Sequence, residues 1–265
     1  MNLQHETERS APDEQWDDDF DVIILGGGAG GMTAALVAAA LGLKPLLIEK
    51  SGVIGGTTAF SSGTTWIPDN PSMRRLGITD DAQNAMLYLD NLVGDQADRS
   101  LRQAFVAQGT HMVQFLEEHS EVRFKAYPTM PDYRQDLPGA GTGGRPMEPL
   151  EFDGRLLGKN FEQVRFPIPE LTIFGGMMLT RGEATLLLRG VKSFNAITLG
   201  VKLLSRHLLD RLKHKRGTRL VLGNALAARL YKSLLDKNVN IWFRTDTQRL
   251  IADGKVCGVI VQRDD

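Results

Sequence analysis

The sequence predicts an α/β protein: a Rossmann-like domain with a central parallel sheet, flanking helices and a small antiparallel β-hairpin. Three observations predict it. A glycine fingerprint stands between an apolar strand and a helix at residues 22–41, short apolar strands alternate with helical periodicity further on, and Asp253-Gly254 joins two apolar runs near residue 265. Alternation of the first kind makes a parallel sheet with helical crossovers. An Asp-Gly pair between two strands makes a tight hairpin.

Val22-Ile23-Ile24-Leu25 is an apolar, β-branched run, the pattern of a strand buried on both faces. Gly26, Gly28 and Gly31 follow at G-x-G-x-x-G spacing. The first permits the tight turn, the second lets backbone approach a pyrophosphate, and the third lets helix and strand pack closely. A helix from about Gly30 to Leu41, stopped by Gly42, then aims its N-terminal N–H groups and positive dipole end at that pyrophosphate. Pro45 to Glu49 is the second strand, and Glu49 stands where an acid accepts hydrogen bonds from an adenosine ribose. A carboxylate there suits an unmodified diol and repels a 2′-phosphate, which leaves FAD or NAD.

The following stretch separates the two. A plain NAD-binding unit would pass into another helix, but residues 51–68 run through Gly55, Gly56, Thr57, Thr58, Ser61, Ser62 and Gly63. Small residues and hydroxyls suit the long polar body of a flavin dinucleotide. The expected cofactor-binding residues are therefore Gly26, Gly28, Ala29, Gly30, Gly31, Glu49, Lys50 and this loop set.

On these residues the chain resembles the FAD-dependent oxidoreductases of the fumarate reductase and 3-ketosteroid Δ1-dehydrogenase type. Trp66 to Asn70, Pro131-Asp132-Tyr133 with Pro138-Gly139 and Gly144-Arg145, and Gly223 to Leu230 extend the resemblance over residues 20–262. It implies FAD held noncovalently, because members that attach the flavin do so through a histidine in the loop, and none occurs from Gly55 to Gly63. It implies a dehydrogenation at a CH–CH bond of a lipophilic substrate, a 3-ketosteroid first, with hydride leaving for flavin N5 and an external electron acceptor that the residues do not identify. Tyr133 is the expected catalytic tyrosine, with Tyr127 second. The backbone at Gln248 is implied to touch adenine, although glutamine stands where an apolar β-branched residue is usual. Two alternatives stay open: reduction of a fumarate- or enoate-like alkene, and a non-catalytic FAD-binding fragment. The resemblance also implies that the FAD-binding domain, read as residues 20–265, is incomplete, with a capping domain and further acid–base groups beyond residue 265.

The remaining elements follow in order. Residues 1–19 are acidic and lack an apolar core, so they read as a disordered tail and not a signal peptide. Thr79-Asp80-Asp81 caps a helix to about Val93, and a second runs from Asp98 to His119 with Leu101, Phe105, Val106, Met112, Phe115 and Leu116 on one face. His111 and His119 read as surface or capping residues, with no metal expected. Residues 124–198 read as an irregular substrate-side segment rich in proline and glycine. Leu199 to Arg219 reads as a basic amphipathic helix carrying Lys202, Arg206, Arg211, Lys213, Lys215, Arg216 and Arg219 on its polar side, able to rest on anionic lipid. Asn224 to Asp236 is a helix, Val239 to Phe243 a strand, and Arg249 to Ala252 with Lys255 to Val261 the hairpin, with Cys257 as a buried strand thiol.

A formal charge of −1 over 265 residues, 24% of them charged, excludes a nucleic-acid binder by composition. No apolar run is long enough to cross a membrane. One cysteine permits no intrachain disulfide and suits a reducing compartment, so the expected location is cytoplasmic; the basic helix reads first as a solvated face, with peripheral membrane contact as the alternative.

Overall fold

The computed structural model describes residues 16–188, 190 and 193–264. Strand β1 (Val22–Leu25) leads through the glycine turn into α1 (Ala29–Ala40) and back to β2 (Pro45–Ile48). β1 and β2 are parallel, with Val22 opposite Pro45 and Leu25 opposite Ile48. After a 3₁₀ turn over Gly56–Phe60 come β3 (Thr65–Trp66) and the helices α2 (Pro71–Arg75), α3 (Ala82–Val93) and α4 (Arg99–His119). Asp81 caps α3 by accepting the Asn84 N–H, and Asp98 caps α4 through the Ser100 N–H.

The stretch expected to be irregular is made of short strands pinned by prolines: β4 (Phe124–Ala126), β5 (Pro146–Pro149), β6 (Phe152–Asp153), β7 (Thr172–Ile173) and β8 (Met177–Met178). β3, β5 and β4 form an antiparallel sheet in that order. Its strands are too brief to show a period of two in the sequence. Two helices follow, α5 (Arg181–Leu187) and α6 (Phe194–Arg211), then β9 (Arg219–Leu220) and α7 (Leu222–Asp236). β10 (Asn240–Trp242) joins β2 in parallel, giving the order β1-β2-β10. β11 (Thr245–Asp253) and β12 (Lys255–Arg263) close the chain as a hairpin turning at Gly254, whose φ is +68°.

The main core lies where α1 meets the parallel sheet and α7. Met32, Ala35 and Leu36 of α1 pack with Ile24, Leu47, Ala227, Ala228, Leu230 and Tyr231. Alanines on both helices let the axes approach closely. The opposite face of the sheet looks toward the hairpin across a cavity of about 370 Å³, bounded by Ile23, Leu46, Trp242 and Val259.

Four expectations are corrected. β1 is not buried on both faces: it has one neighbouring strand among the described residues, and Ile23 and Leu25 are 37% and 47% exposed, whereas every residue of β2 is buried. Cys257 is exposed, because no residue of β12 is buried. The basic helix starts at Phe194, capped by Ser193, and stops at Arg211, so Lys213, Lys215, Arg216 and Arg219 are not on it. Arg216 is buried, its guanidinium held between the rings of Phe161 and Phe166. The acidic tail expected over residues 1–19 falls mostly on 1–15, which lie outside the described residues. Trp16 lies against Gly258 of β12, and the Asp19 carbonyl accepts from Lys44 Nζ at 2.6 Å.

Candidate cofactor and substrate site

The glycine turn is built around one carboxylate. Glu49, at the end of β2, is 6% exposed, and its Oε2 accepts the Gly27 N–H at 2.8 Å. Oε1 accepts both the Ser51 N–H and the Ser51 hydroxyl at 2.9 Å. Oε2 keeps a lone pair, so Glu49 can still receive a ribose hydroxyl. Gly26 has φ +102°, and a Cβ on Gly31 would stand 1.9 Å from the Gly26 carbonyl oxygen. That contact is why helix and turn need glycine there.

At Gly28 and Gly30 an added Cβ would meet nothing within 4 Å. Gly28 is the N-cap of α1 and offers no side-chain cap. A helix start whose N-cap is a glycine, with open space before it, is an anion site, its remaining N–H donors and dipole pointing outward. The loop returns over this point. The Gly55 N–H donates to the Gly27 carbonyl at 2.8 Å, Gly56 at φ +49° approaches the Gly28 Cα, and the Ala29 N–H donates to Thr58 Oγ1 at 3.0 Å. Fingerprint and glycine–hydroxyl loop, 22 or more residues apart in sequence, are thus one cradle. Its donor set, open anion-facing turn and ribose acceptor fit FAD. Thr57 and Lys50 are exposed beside it.

The far half of the loop is held by α7. The Gly223 N–H donates to the Ser61 carbonyl at 3.0 Å, and Leu222 before it sits at φ +57°. A branched residue holds that backbone conformation only under constraint. A Cβ on Gly63 would stand 2.8 Å from the Gly223 Cα, and one on Gly223 would stand 1.9 Å from the Thr58 carbonyl oxygen. Ser61 Oγ accepts the Gly63 N–H at 3.0 Å, and the Ser62 and Thr64 hydroxyls are 2.9 Å apart. Gln248 lies apart from this cradle in β11, exposed at the register shift between Thr247 and Arg249. A bulge leaves its residue's backbone groups out of the ladder.

Beyond Ser62 and Thr64 the loop borders a pocket of about 460 Å³, whose apolar wall includes Trp66, Leu89, Leu92 and Phe105. Tyr133 stands at its mouth, 89% exposed. Tyr127 does not line it. Behind Tyr133 is a buried ion cluster. Arg145 donates to both oxygens of Asp80 at 2.8 Å and to Asp132 at 2.7 Å, with side chains 3%, 8% and 1% exposed. Asp132 also accepts from Trp66 Nε1 at 2.6 Å and the Gly141 N–H at 2.8 Å. Burial pulls the Arg145 pKa down, but the hydrogen bonds and charge of Asp80, with Asp132, more than reverse this and hold it above the usual range. The cluster fixes the Pro131–Tyr133 turn against Trp66.

Sequence reasoning missed three braces. Asn224, fully buried, donates to the Ala59 and Arg165 carbonyls, tying the loop to α7. Arg216 donates to Asn224 Oδ1 at 3.1 Å and the Val164 carbonyl at 3.0 Å, and burial lowers its pKa to about 10. Arg181 reaches Thr64 Oγ1 at 3.4 Å while paired with Glu148 at 3.2 Å. An arginine looks the same in sequence whether it bonds buried carbonyls or faces water, so only the motif around Asn224 carried any signal.

Residues 21–265 match the FAD binding domain family. The 3-oxosteroid 1-dehydrogenase of Comamonas testosteroni is 34% identical over 253 residues, which are 93% of this chain and 44% of that protein. The 4-oxocyclohex-2-ene-1-carboxylate 5-dehydrogenase of Sinomonas cyclohexanicum is 32% identical over 91% of this chain and 41% of its own length. Among solved structures, 3-ketosteroid Δ1-dehydrogenase from Sterolibacterium denitrificans in complex with 1,4-androstadiene-3,17-dione superimposes with a TM-score of 0.84 at 36% identity, over 92% of this chain and 44% of that one. A flavocytochrome c3 fumarate reductase, at 14% identity and a TM-score of 0.55, shares the fold. The chain spans less than half the length of the curated relatives it matches. The cradle, the fold and these matches agree: the chain belongs to the FAD binding domain family.

Proposed function

We propose that this chain is the FAD-binding part of a dehydrogenase that acts on a CH–CH bond beside a ketone, with 3-ketosteroids as the substrate class and Δ1-dehydrogenation as the reaction. The observation that carries this reading is the pocket at the end of the flavin loop, apolar along one wall, with Tyr133 at its mouth. One arginine stands at its edge: Arg181 reaches the lining residues Thr64 and Met130 at 3.4 and 3.1 Å while paired with Glu148. A fused-ring ketone would find apolar contact along Trp66, Leu89, Leu92 and Phe105 and hydroxyls at Ser62 and Thr64.

FAD, when bound, supplies the hydride acceptor at N5. The chain's own residues do the rest. Glu49 holds the ribose diol, the N-terminal turn of α1 faces the pyrophosphate, and Thr58, Ser61, Ser62 and Gly63 line the path toward the ring. With no histidine between Gly55 and Gly63, the flavin is held without a covalent bond. The Tyr133 hydroxyl handles a proton at the substrate ketone side, where a donor stabilises developing enolate charge. The Asp80–Arg145–Asp132 cluster positions the turn that bears it. The backbone at the Gln248 bulge serves the adenine. The protein acts in the cytoplasm.

The test is Tyr133→Phe in the whole protein. Turnover of a 3-ketosteroid should fall at least about tenfold, equivalent to about 1.4 kcal/mol of barrier, while the flavin spectrum stays as in the parent. Unchanged turnover would remove Tyr133 from the chemistry.

A further inference from the structure

Helix α6 has two apolar faces. One carries Ala196 and Leu203, buried with His207 and Asp210 against the body of the protein. The other carries Phe194, Ile197, Val201, Leu204 and Leu208, repeating at intervals of three and four residues, and Leu212 continues the stripe. These side chains are exposed, Phe194 at 79%, Val201 at 64% and Leu212 at 80%. A soluble surface helix keeps its outward face polar, so this stripe is unexplained by the fold. Its neighbours extend it. Leu188, at the end of α5, is 87% exposed. Phe174, 70% exposed, tips the turn between β7 and β8, which is tied to α6 by His207 Nε2 at 2.9 Å from its carbonyl.

The charges on and just after α6 are mostly positive. Lys202, Arg211, Lys213 and Lys215 are exposed around and beyond α6. From Ala184 to Arg219 the sole acidic residue is Asp210. It is buried and spent on the Thr218 N–H and hydroxyl, both at 2.8 Å. On α6 itself no carboxylate is exposed, and Lys215 beyond it pairs with Glu162 at 3.7 Å; an exposed apolar stripe flanked by Lys202, Arg211 and Lys213 matches an anionic lipid surface, with apolar side chains in the acyl boundary and cations at the headgroups. A second copy of the chain fits worse, since a two-fold pairing of this face would set cation against cation. No described helix is long and apolar enough to cross a membrane, so the contact is superficial.

We propose that the outward face of α6, with the Phe174 turn and Leu188, docks this protein on anionic bilayers. This goes beyond the dehydrogenase reading and does not depend on it. A protein seated there would meet a lipophilic substrate in the phase where it dissolves.

The test is co-sedimentation of the purified whole protein with vesicles of phosphatidylcholine mixed with phosphatidylglycerol, against pure phosphatidylcholine, with size-exclusion chromatography in parallel. The parent should bind the mixed vesicles, less at high salt. Val201→Glu combined with Leu208→Glu should weaken binding at least about tenfold. Each of Lys202→Glu and Lys213→Glu should weaken it about fivefold on anionic vesicles. All four positions are exposed, and far-ultraviolet circular dichroism with the flavin spectrum verifies folding. Failure of the parent to bind, or full binding by the Val201/Leu208 double variant, would overturn the proposal. So would a stable oligomer that this double variant dissociates, which would assign the face to a second copy. Loss of binding with dehydrogenase activity intact would support docking and leave the catalytic reading to its own test.

Discussion

Arg145→Met tests how the substrate side of this domain is held together. Methionine approximates the reach of arginine without its charge or donors. In the parent, the guanidinium satisfies Asp80 and Asp132, whose side chains are 8% and 1% exposed. Its removal leaves two carboxylates in the interior with no cation. Breaking a buried pair from one side costs about 3–5 kcal/mol, a large share of the roughly 5–15 kcal/mol that stabilises a domain. The sign of the pH effect follows. A buried carboxylate without its partner has a folded pKa raised above its unfolded value near 4. Such a group penalises the fold when ionised, so the variant should recover stability relative to the parent as pH falls through the raised values. Trp66 reports the change, since its Nε1 donates to Asp132 and its ring lies 5.5 Å from the guanidinium. Urea unfolding followed by tryptophan fluorescence should give the loss at neutral pH, and adding Asp80→Asn with Asp132→Asn should return part of it. A loss below about 0.5 kcal/mol, the range of ordinary surface changes, would refute the cluster's structural role. So would a deficit that does not change with pH.

Three further outcomes are expected. Gly31→Ala should displace α1, because its methyl would meet the Gly26 carbonyl oxygen at 1.9 Å, and both thermal stability and FAD uptake should drop; normal uptake would show that the turn can relax. Glu49→Ala leaves the Gly27 N–H and Ser51 without their acceptor, at about 1–3 kcal/mol for a buried group, and should weaken FAD retention measured by flavin release on dilution; unaltered retention would dismiss the ribose role. Burial pushes the Tyr231 phenol up to about 12. Its neutral form stabilises the fold below its ordinary value of 10, and this contribution is lost as pH rises from 10 toward 12. Tyr231→Phe should flatten the melting-temperature profile across that window, and an unchanged slope would disprove the assignment.

The parts of the fold set by local chemistry were legible. The glycine fingerprint, the Asp81 cap, and the Asp253-Gly254 turn each encode their structure within a few residues. The cradle was legible for the same reason, as its glycines are placed by contacts that exclude a Cβ at Gly31 and Gly63. What failed depended on partners distant in sequence. Residues 124–198 hide strands of two to four residues, too short to show alternation. The burial of β1 and of Cys257 depends on which elements cover each face, which an apolar run does not state. Arg216 read as a helical surface cation, yet its place is set by Phe161, Phe166 and Asn224. The apolar outer face of α6 was readable as periodicity, but only the fold shows which of its two faces is buried.

The account is tested most directly by flavin absorbance during anaerobic titration of the whole purified protein with a 3-ketosteroid. The expected result is a yellow protein whose absorbance bleaches on adding the steroid with no other reductant, and whose colour leaves entirely on acid precipitation. A colourless protein that takes up no FAD would contradict the cofactor site. A yellow protein that ignores the steroid, but when chemically reduced is reoxidised by fumarate or an enoate, would contradict the proposed reaction.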